Sequence, residues 1–162
     1  IGNGGSGVAL TGITVGQVVD MGIKDVNDMG SAMAPAAVDT IRQHFEDTER
    51  QPDYYDVIAT GDLGGFGKSL SANILAEAGY DMDKNYTDCG VLIFNPEQDT
   101  HAGGSGCACS GVVFANYFYP QLVQGTYERM LLVSTGALLS STSYQQGESI
   151  PAIAHAVVIE RV

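Results

Sequence analysis

His101 is followed closely by Gly103, Gly104, Ser105 and Gly106, which sets an imidazole beside a glycine-rich turn. Backbone amides of such a turn, at the start of a helix, can hold a carboxylate or a developing oxyanion. A surface histidine in a flexible loop is the competing reading, and spacing alone leaves both open. Cys107 and Cys109 lie two residues apart at the start of the same expected helix and so point to different sides. A helix N-terminus can lower a thiol's pKa, but no base is adjacent in sequence, and small buried packing residues are the stronger reading. His155 shares one face of the final strand with Ile153, Val157 and Ile159, which predicts a core histidine. His44 falls on the outer half of the first helix, which predicts a surface position.

Several short motifs fail on context. Residues 2–7 (GNGGSG) match the dinucleotide pattern G-x-G-x-x-G, yet they precede a strand instead of joining strand to helix. Residues 61–69 (GDLGGFGKS) sit between strand and helix and end like a phosphate loop, but the glycine spacing is one residue too long. Asp62 also stands where the first glycine belongs, and a carboxylate there opposes a phosphate. No second cysteine pair accompanies Cys107 and Cys109, so structural zinc is disfavoured and no metal ligand set is expected. Glu46, Asp47 and Glu49 read as the solvated end of a helix.

The elements that must position these residues alternate. Residues 8–20 form a β-branched strand with Gly12 and Gly16 as bends or bulges. Ala34, Val38, Ile41 and Phe45 recur at helical spacing through a helix 31–49, with Ser31 as its cap and Pro35 in its first turn. Strand 54–60, a helix capped by Ser69 and stopped at Gly79, and strand 89–94 follow. A third helix, 105–124, is apolar almost all round, ends at Gly125 and should kink at Pro120. Strands 130–135 and 153–161, joined by a polar loop 140–149, complete the order βαβαβαββ. This order predicts an α/β fold with a largely parallel, five-stranded mixed sheet and helices on its faces. Loops 61–68 and 95–106 then share the rim at the carboxyl ends of the strands.

The chain has 162 residues, 44% apolar, enough for a single domain with one core. Its formal charge of −12 disfavours nucleic acid and anionic membrane surfaces as partners. The 21 glycines follow no fixed period, so they imply tight turns and not a repeat. An odd count of three cysteines fits a reducing, cytoplasmic compartment, and no bilayer span or signal peptide is seen. The chain opens at Ile1 without an initiator Met, which points to a fragment or processed piece.

The βαβαβαββ order, the segment Asp99-Thr100-His101-Ala102-Gly103-Gly104-Ser105-Gly106 and the closing strand pair resemble the C-terminal half of a thiolase-fold protein, over nearly the whole chain. Residues 136–140 (GALLS), 145–151 (QQGESIP) and 153–160 (IAHAVVIE) are, more narrowly, similar to the stage V sporulation protein AD family. The resemblance implies a thiolase scaffold that binds dipicolinic acid, alone or with calcium, during its uptake into the developing spore, without turnover. It further implies other spore uptake-channel proteins as partners, with peripheral placement at the forespore or spore inner membrane through them. A thiolase His-Pro-x-Gly loop maps its histidine to His101 and its glycine to Gly104, with Ala102 in place of the proline and Ser105-Gly106 one residue early. Ser134-Thr135-Gly136 stands where a thiolase carries its second cysteine, and the thiolase nucleophile belongs to an N-terminal half.

The expected ligand-binding set is therefore His101, Gly103, Gly104, Thr135, Gly136 and Asp62, with no catalytic residue and no cofactor. Calcium could bridge the ligand to a carboxylate such as Asp62 or Asp99. An acyl-thioester enzyme completed by a separate N-terminal half is the alternative, weakened by Ser134. A third reading is an assembly partner without a small ligand. The resemblance implies that the apolar helix 103–124 is exposed in a lone half, so a homo-oligomer or pairing with an N-terminal thiolase-like half is expected.

Overall fold

A computed structural model describes residues 7–162. Residues 2–6 of the dinucleotide-like segment lie outside it. Five strands form one sheet: β1 (Val8–Val15), β2 (Val57–Thr60), β3 (Tyr86–Asp88), β4 (Arg129–Ala137) and β5 (Ala152–Arg161), in the order β1-β5-β4-β2-β3. β2 runs parallel to both β3 and β4, and β5 runs antiparallel to β4 and β1. Four strands thus share one direction and only β5 opposes them, as the alternation of strands and helices predicts.

Side-chain alternation assigns the two faces. Ile58, Leu131, Val133, Ala154, Ala156 and Val158 point to one side, where α1 (Met29–Thr48) and α2 (Gly64–Glu77) cover them. Val57, Ala59, Met130, Leu132 and Ile159 point to the other, beneath α4 (Cys109–Val113), a π-helical turn (Phe114–Phe118) and α5 (Tyr119–Gln124). α1 is helical because Ala34, Ala36, Ala37, Val38, Ile41 and Phe45 form one continuous buried stripe.

Several boundaries differ from the sequence expectation, each for a local reason. β1 stops at Val15, and beyond it Val19 forms an isolated bridge to Ala152 and the Ile23 carbonyl accepts the Ile150 amide. The bulge expected in this strand falls between Leu10 and Gly12. The cap of α1 is Asp28, whose carboxylate accepts the Ser31 amide at 3.1 Å, so Ser31 lies inside the helix and Pro35 beyond its first turn. α2 starts five residues before Ser69, at Gly64. The third strand is Tyr86–Asp88, and the apolar run after it is a helical turn, α3 (Cys89–Leu92), because Asp88 caps it. The third helix begins at Cys109, four residues after Ser105. At its middle the Tyr119 amide reaches back to the Phe114 carbonyl, which opens a wide turn just before Pro120, whose ring lacks a donor. Residues Ser141–Gln145 of the polar loop form a short α6 with a Ser140 capping box.

Candidate functional site

The rim at the carboxyl ends of β2 and β4 is built around two carboxylates. Asp88 is fully buried and accepts four hydrogen bonds: Thr60 Oγ1 (2.6 Å), the Leu63 amide (2.9 Å), the Gly64 amide (3.0 Å) and the Val91 amide (3.2 Å). One side chain thereby starts both α2 and α3, and the turn between β2 and α2 closes with Gly64 at φ +68°. Sequence reasoning missed Asp88, although an aspartate three residues before Val91 is a helix-cap signal. The leading amides of α2 are spent on Asp88 and on the Ala102 carbonyl, which accepts the Gly65 amide at 2.7 Å. These three amides therefore point to partners inside the chain and not outward.

Asp62 is half-buried and joins the rim's loops. Thr135 Oγ1 donates to its Oδ1 at 2.9 Å and accepts the Asp62 amide at 3.1 Å. Ser105 Oγ (2.8 Å) and the Gly106 amide (3.0 Å) donate to its Oδ2. Of the predicted set, Asp62, Thr135 and the neighbouring Gly136 come together here. Gly103 and Gly104 pack against α3, where a Cβ on either would meet the Gly90 carbonyl or Ile93. Their amides donate to the Thr100 and Gly90 carbonyls, inside the chain. His101 stands apart: its side chain is 90% exposed, its φ is +54°, and Asp99 lies 3.6 Å from its Nδ1.

The other sequence-singled residues separate clearly. His44, expected at the surface, is buried. Its Nδ1 lies 2.7 Å from Thr14 Oγ1 and its Nε2 2.5 Å from the Tyr55 hydroxyl, which also accepts Arg50 at 3.1 Å. Burial, with the Arg50 cation second, lowers its pKa to about 4. His155, expected in the core, is exposed, because among the described residues no helix covers this part of its face, and its Nδ1 accepts the Gly16 amide at 3.1 Å. It sits opposite Ser134 in the β4–β5 register, and Ser134 Oγ lies 3.4 Å from Ser110 Oγ. Cys109 is buried as expected, whereas Cys107 is exposed because it precedes α4 in an open turn. Burial pushes the Cys109 thiol up, aided by Asp62 and Asp88, and pushes Cys89 up to about 12. Neither buried thiol is a thiolate near neutral pH.

Among the described residues, no three His, Cys, Asp or Glu side chains converge as a metal site, and no helix is long and apolar enough to cross a membrane. An open groove of about 360 Å³, lined by Val8, Tyr119, Val123 and Arg161, lies at the opposite end of the strands from the rim. The rim therefore presents a fixed polar wall of bonded hydroxyls and one carboxylate, with two protonated thiols buried beside it.

Solved structures with the same architecture include a single-residue variant of OleA of Xanthomonas campestris, 12% identical, TM-score 0.54, covering 96% of this chain and 58% of that one. A 3-oxoacyl-(acyl-carrier-protein) synthase III is 16% identical, with TM-score 0.51, over 96% of this chain and 50% of that one. These likenesses establish the thiolase-like fold. Stage V sporulation protein AD of Bacillus subtilis (strain 168) is 54% identical over 154 residues, 95% of this chain. The chain spans about half the length of that relative, 46%. The family model of stage V sporulation protein AD matches residues 1–160, and the chain belongs to that family.

Proposed function

We propose that this chain is one half of a non-catalytic, thiolase-fold protein that binds dipicolinic acid and supports its uptake into the developing spore. One observation carries the binding reading. The rim's polar groups are hydroxyls and a carboxylate with every oxygen already bonded, while the buried thiols near it are held protonated. Such groups fix a surface against which a ligand rests, and they do not supply a proton acceptor for acyl transfer. In this reading Asp62 holds loop 99–106 to the end of β4, so that Thr135, Gly136 and the loop present one wall. Calcium, where it enters, comes with the ligand, since both Asp62 oxygens already accept hydrogen bonds.

The second wall comes from a partner. Beside α4–α5 the sheet leaves Leu10, Ile13 and Val15 exposed, and the flank of α4–α5 itself exposes Val112 and Val123. An N-terminal thiolase-like half, or a second copy, covers this strip and closes the site. Any attachment at the forespore membrane then runs through other uptake-channel proteins.

The test is calorimetric titration of dipicolinate, with and without calcium, into the two-half protein and into this chain, with benzoate as control. Saturable binding of dipicolinate but not of benzoate at matched concentration supports the reading. No binding, together with acyl transfer from a coenzyme A thioester, overturns it. His101→Ala is expected to change affinity less than about twofold, because its side chain meets only solvent and Asp99. A tenfold loss would return the loop tip to the site.

A further inference from the structure

The open face of the sheet carries one polar cluster inside its apolar strip. Met130 and Leu132 of β4 lie under α4–α5, so Ser134, two residues further, projects from the same face. His155 is its direct partner on β5, and Val15 of β1 pairs with His155 from the other side, so the three residues stand side by side. Ser110, on the first turn of α4, closes the cluster through the 3.4 Å contact between hydroxyls. Ile13, Val15, Val157 and Ile153 surround it on the same face.

The ring of His155 is held in one tautomer. Its Nδ1 accepts the Gly16 amide, so in the neutral imidazole the proton sits on Nε2. Among the described residues nothing accepts that proton. A protonated Nε2 donates and does not take a proton from Ser134, which rules out a serine nucleophile activated through this atom and leaves a recognition role. The Ser134 hydroxyl donates to Ser110 across a long 3.4 Å contact and rotates outward at little cost, so that two hydroxyls and one N–H donor, bordered by branched aliphatic side chains, match a carboxylate carried on a flat apolar body.

We infer that Ser110, Ser134 and His155 form a carboxylate subsite, in which His155 Nε2 and the Ser134 hydroxyl donate to one carboxylate while Val15 and Ile13 lie against the ring that bears it. This deepens the dipicolinate reading and rests on it. It moves the anion-recognising groups from the His101 loop to the β4–β5 pair.

Two variants of His155 in the two-half protein separate recognition from scaffolding. His155→Asn keeps an acceptor for the Gly16 amide and removes the outward donor; His155→Gln keeps a donor near the Nε2 position. The subsite predicts that dipicolinate affinity falls about tenfold to a hundredfold in His155→Asn and in Ser134→Ala, and is largely restored in His155→Gln. Full affinity in His155→Asn, or restoration by Asn and not by Gln, overturns the subsite while leaving dipicolinate binding intact. If the unmodified protein binds no dipicolinate, the parent reading fails, and the subsite is judged by the ¹⁵N shift of His155 Nε2 during millimolar benzoate titration. A saturating shift, lost in Ser134→Ala, supports it; an unchanged resonance overturns it.

Discussion

On one face of the sheet α1 and α2 bury Ile58, Leu131, Val133, Ala154, Ala156 and Val158, while on the other α4–α5 covers Met130 and Leu132 and leaves Leu10, Ile13 and Val15 in solvent. Both faces are apolar, yet among the described residues only the first is fully covered. On the closed face each side chain is chosen by its neighbours, and polar groups there, such as Thr40 and His44, have partners inside the protein. On the open face the exposed apolar residues border His155 and the Ser110–Ser134 pair, which supports the proposal that this surface meets a partner. Stability should therefore concentrate on one side of the sheet and recognition on the other.

The largest effect that would break this division is a truncation. Phe45 is fully buried on the closed face among Tyr55 and Tyr80, so Phe45→Ala should cost about 4 kcal/mol in urea denaturation. Val123→Ala, on the exposed flank of α5, should cost no more than about 0.5 kcal/mol. Equal costs would show that α5 is as deeply built in as α1.

Acid should act next, and on the closed face. The His44 pKa is about 4 in the folded chain against the ordinary value of 6.5, so folding favours the neutral ring. Its contribution is fully present above pH 6.5 and is lost as the pH falls from there toward 4, because the unfolded chain takes up the proton first. The span corresponds to about 3 kcal/mol. His44→Gln, which loses the titration, should flatten this part of the stability profile; an unchanged slope would assign the acid sensitivity elsewhere.

Asp88 ties the rim to the closed face and should rank third. Asp88→Asn keeps one acceptor but turns an amide toward two of the four donors, at a cost of about 2 kcal/mol. Hydrogen exchange at Leu63, Gly64 and Val91 should rise together. A rise at Val91 alone would mean that α2 holds its own start.

These residues also show what could be read from the chain itself. The strand and helix order was legible, because apolar spacing changes from alternation to helical periodicity at each element. The fold class followed from it. Local boundaries were less legible: the run Cys89–Phe94 has the composition of a strand, and only the position of Asp88 against the start of α2 makes it helical. His44 looked solvent-facing from helical spacing because the residues that bury it, Thr14 and Tyr55, come from β1 and from the segment ahead of β2. His155 looked buried for the converse reason, since its face is apolar by sequence but no helix of the described chain lies over it. At the rim, Asp62 and Thr135 were identifiable as candidates, but their mutual hydrogen bonds depend on β2 and β4 being neighbours, a fact of topology and not of spacing.

The smallest expected effect on the chain's own stability is the one that sharpens the comparison most. Ile13 and Val15 are 69% and 77% exposed, so Ile13→Ser with Val15→Ser removes little that the chain itself buries. The loss in denaturant should stay below about 1 kcal/mol, set mainly by weaker strand propensity. Association with the proposed N-terminal half should behave differently. If the strip lies under that half, each side chain gives up most of its remaining water contact on pairing, worth about 1 kcal/mol or more. Together the two substitutions should weaken pairing of separately expressed halves by about thirtyfold or more, read by sedimentation at micromolar concentration. Pairing at unmodified affinity would place the partner elsewhere. It would also leave the Ser110, Ser134 and His155 cluster beside Val15 open to solvent in the assembled protein, where an exposed imidazole and two hydroxyls compete with water for any anion.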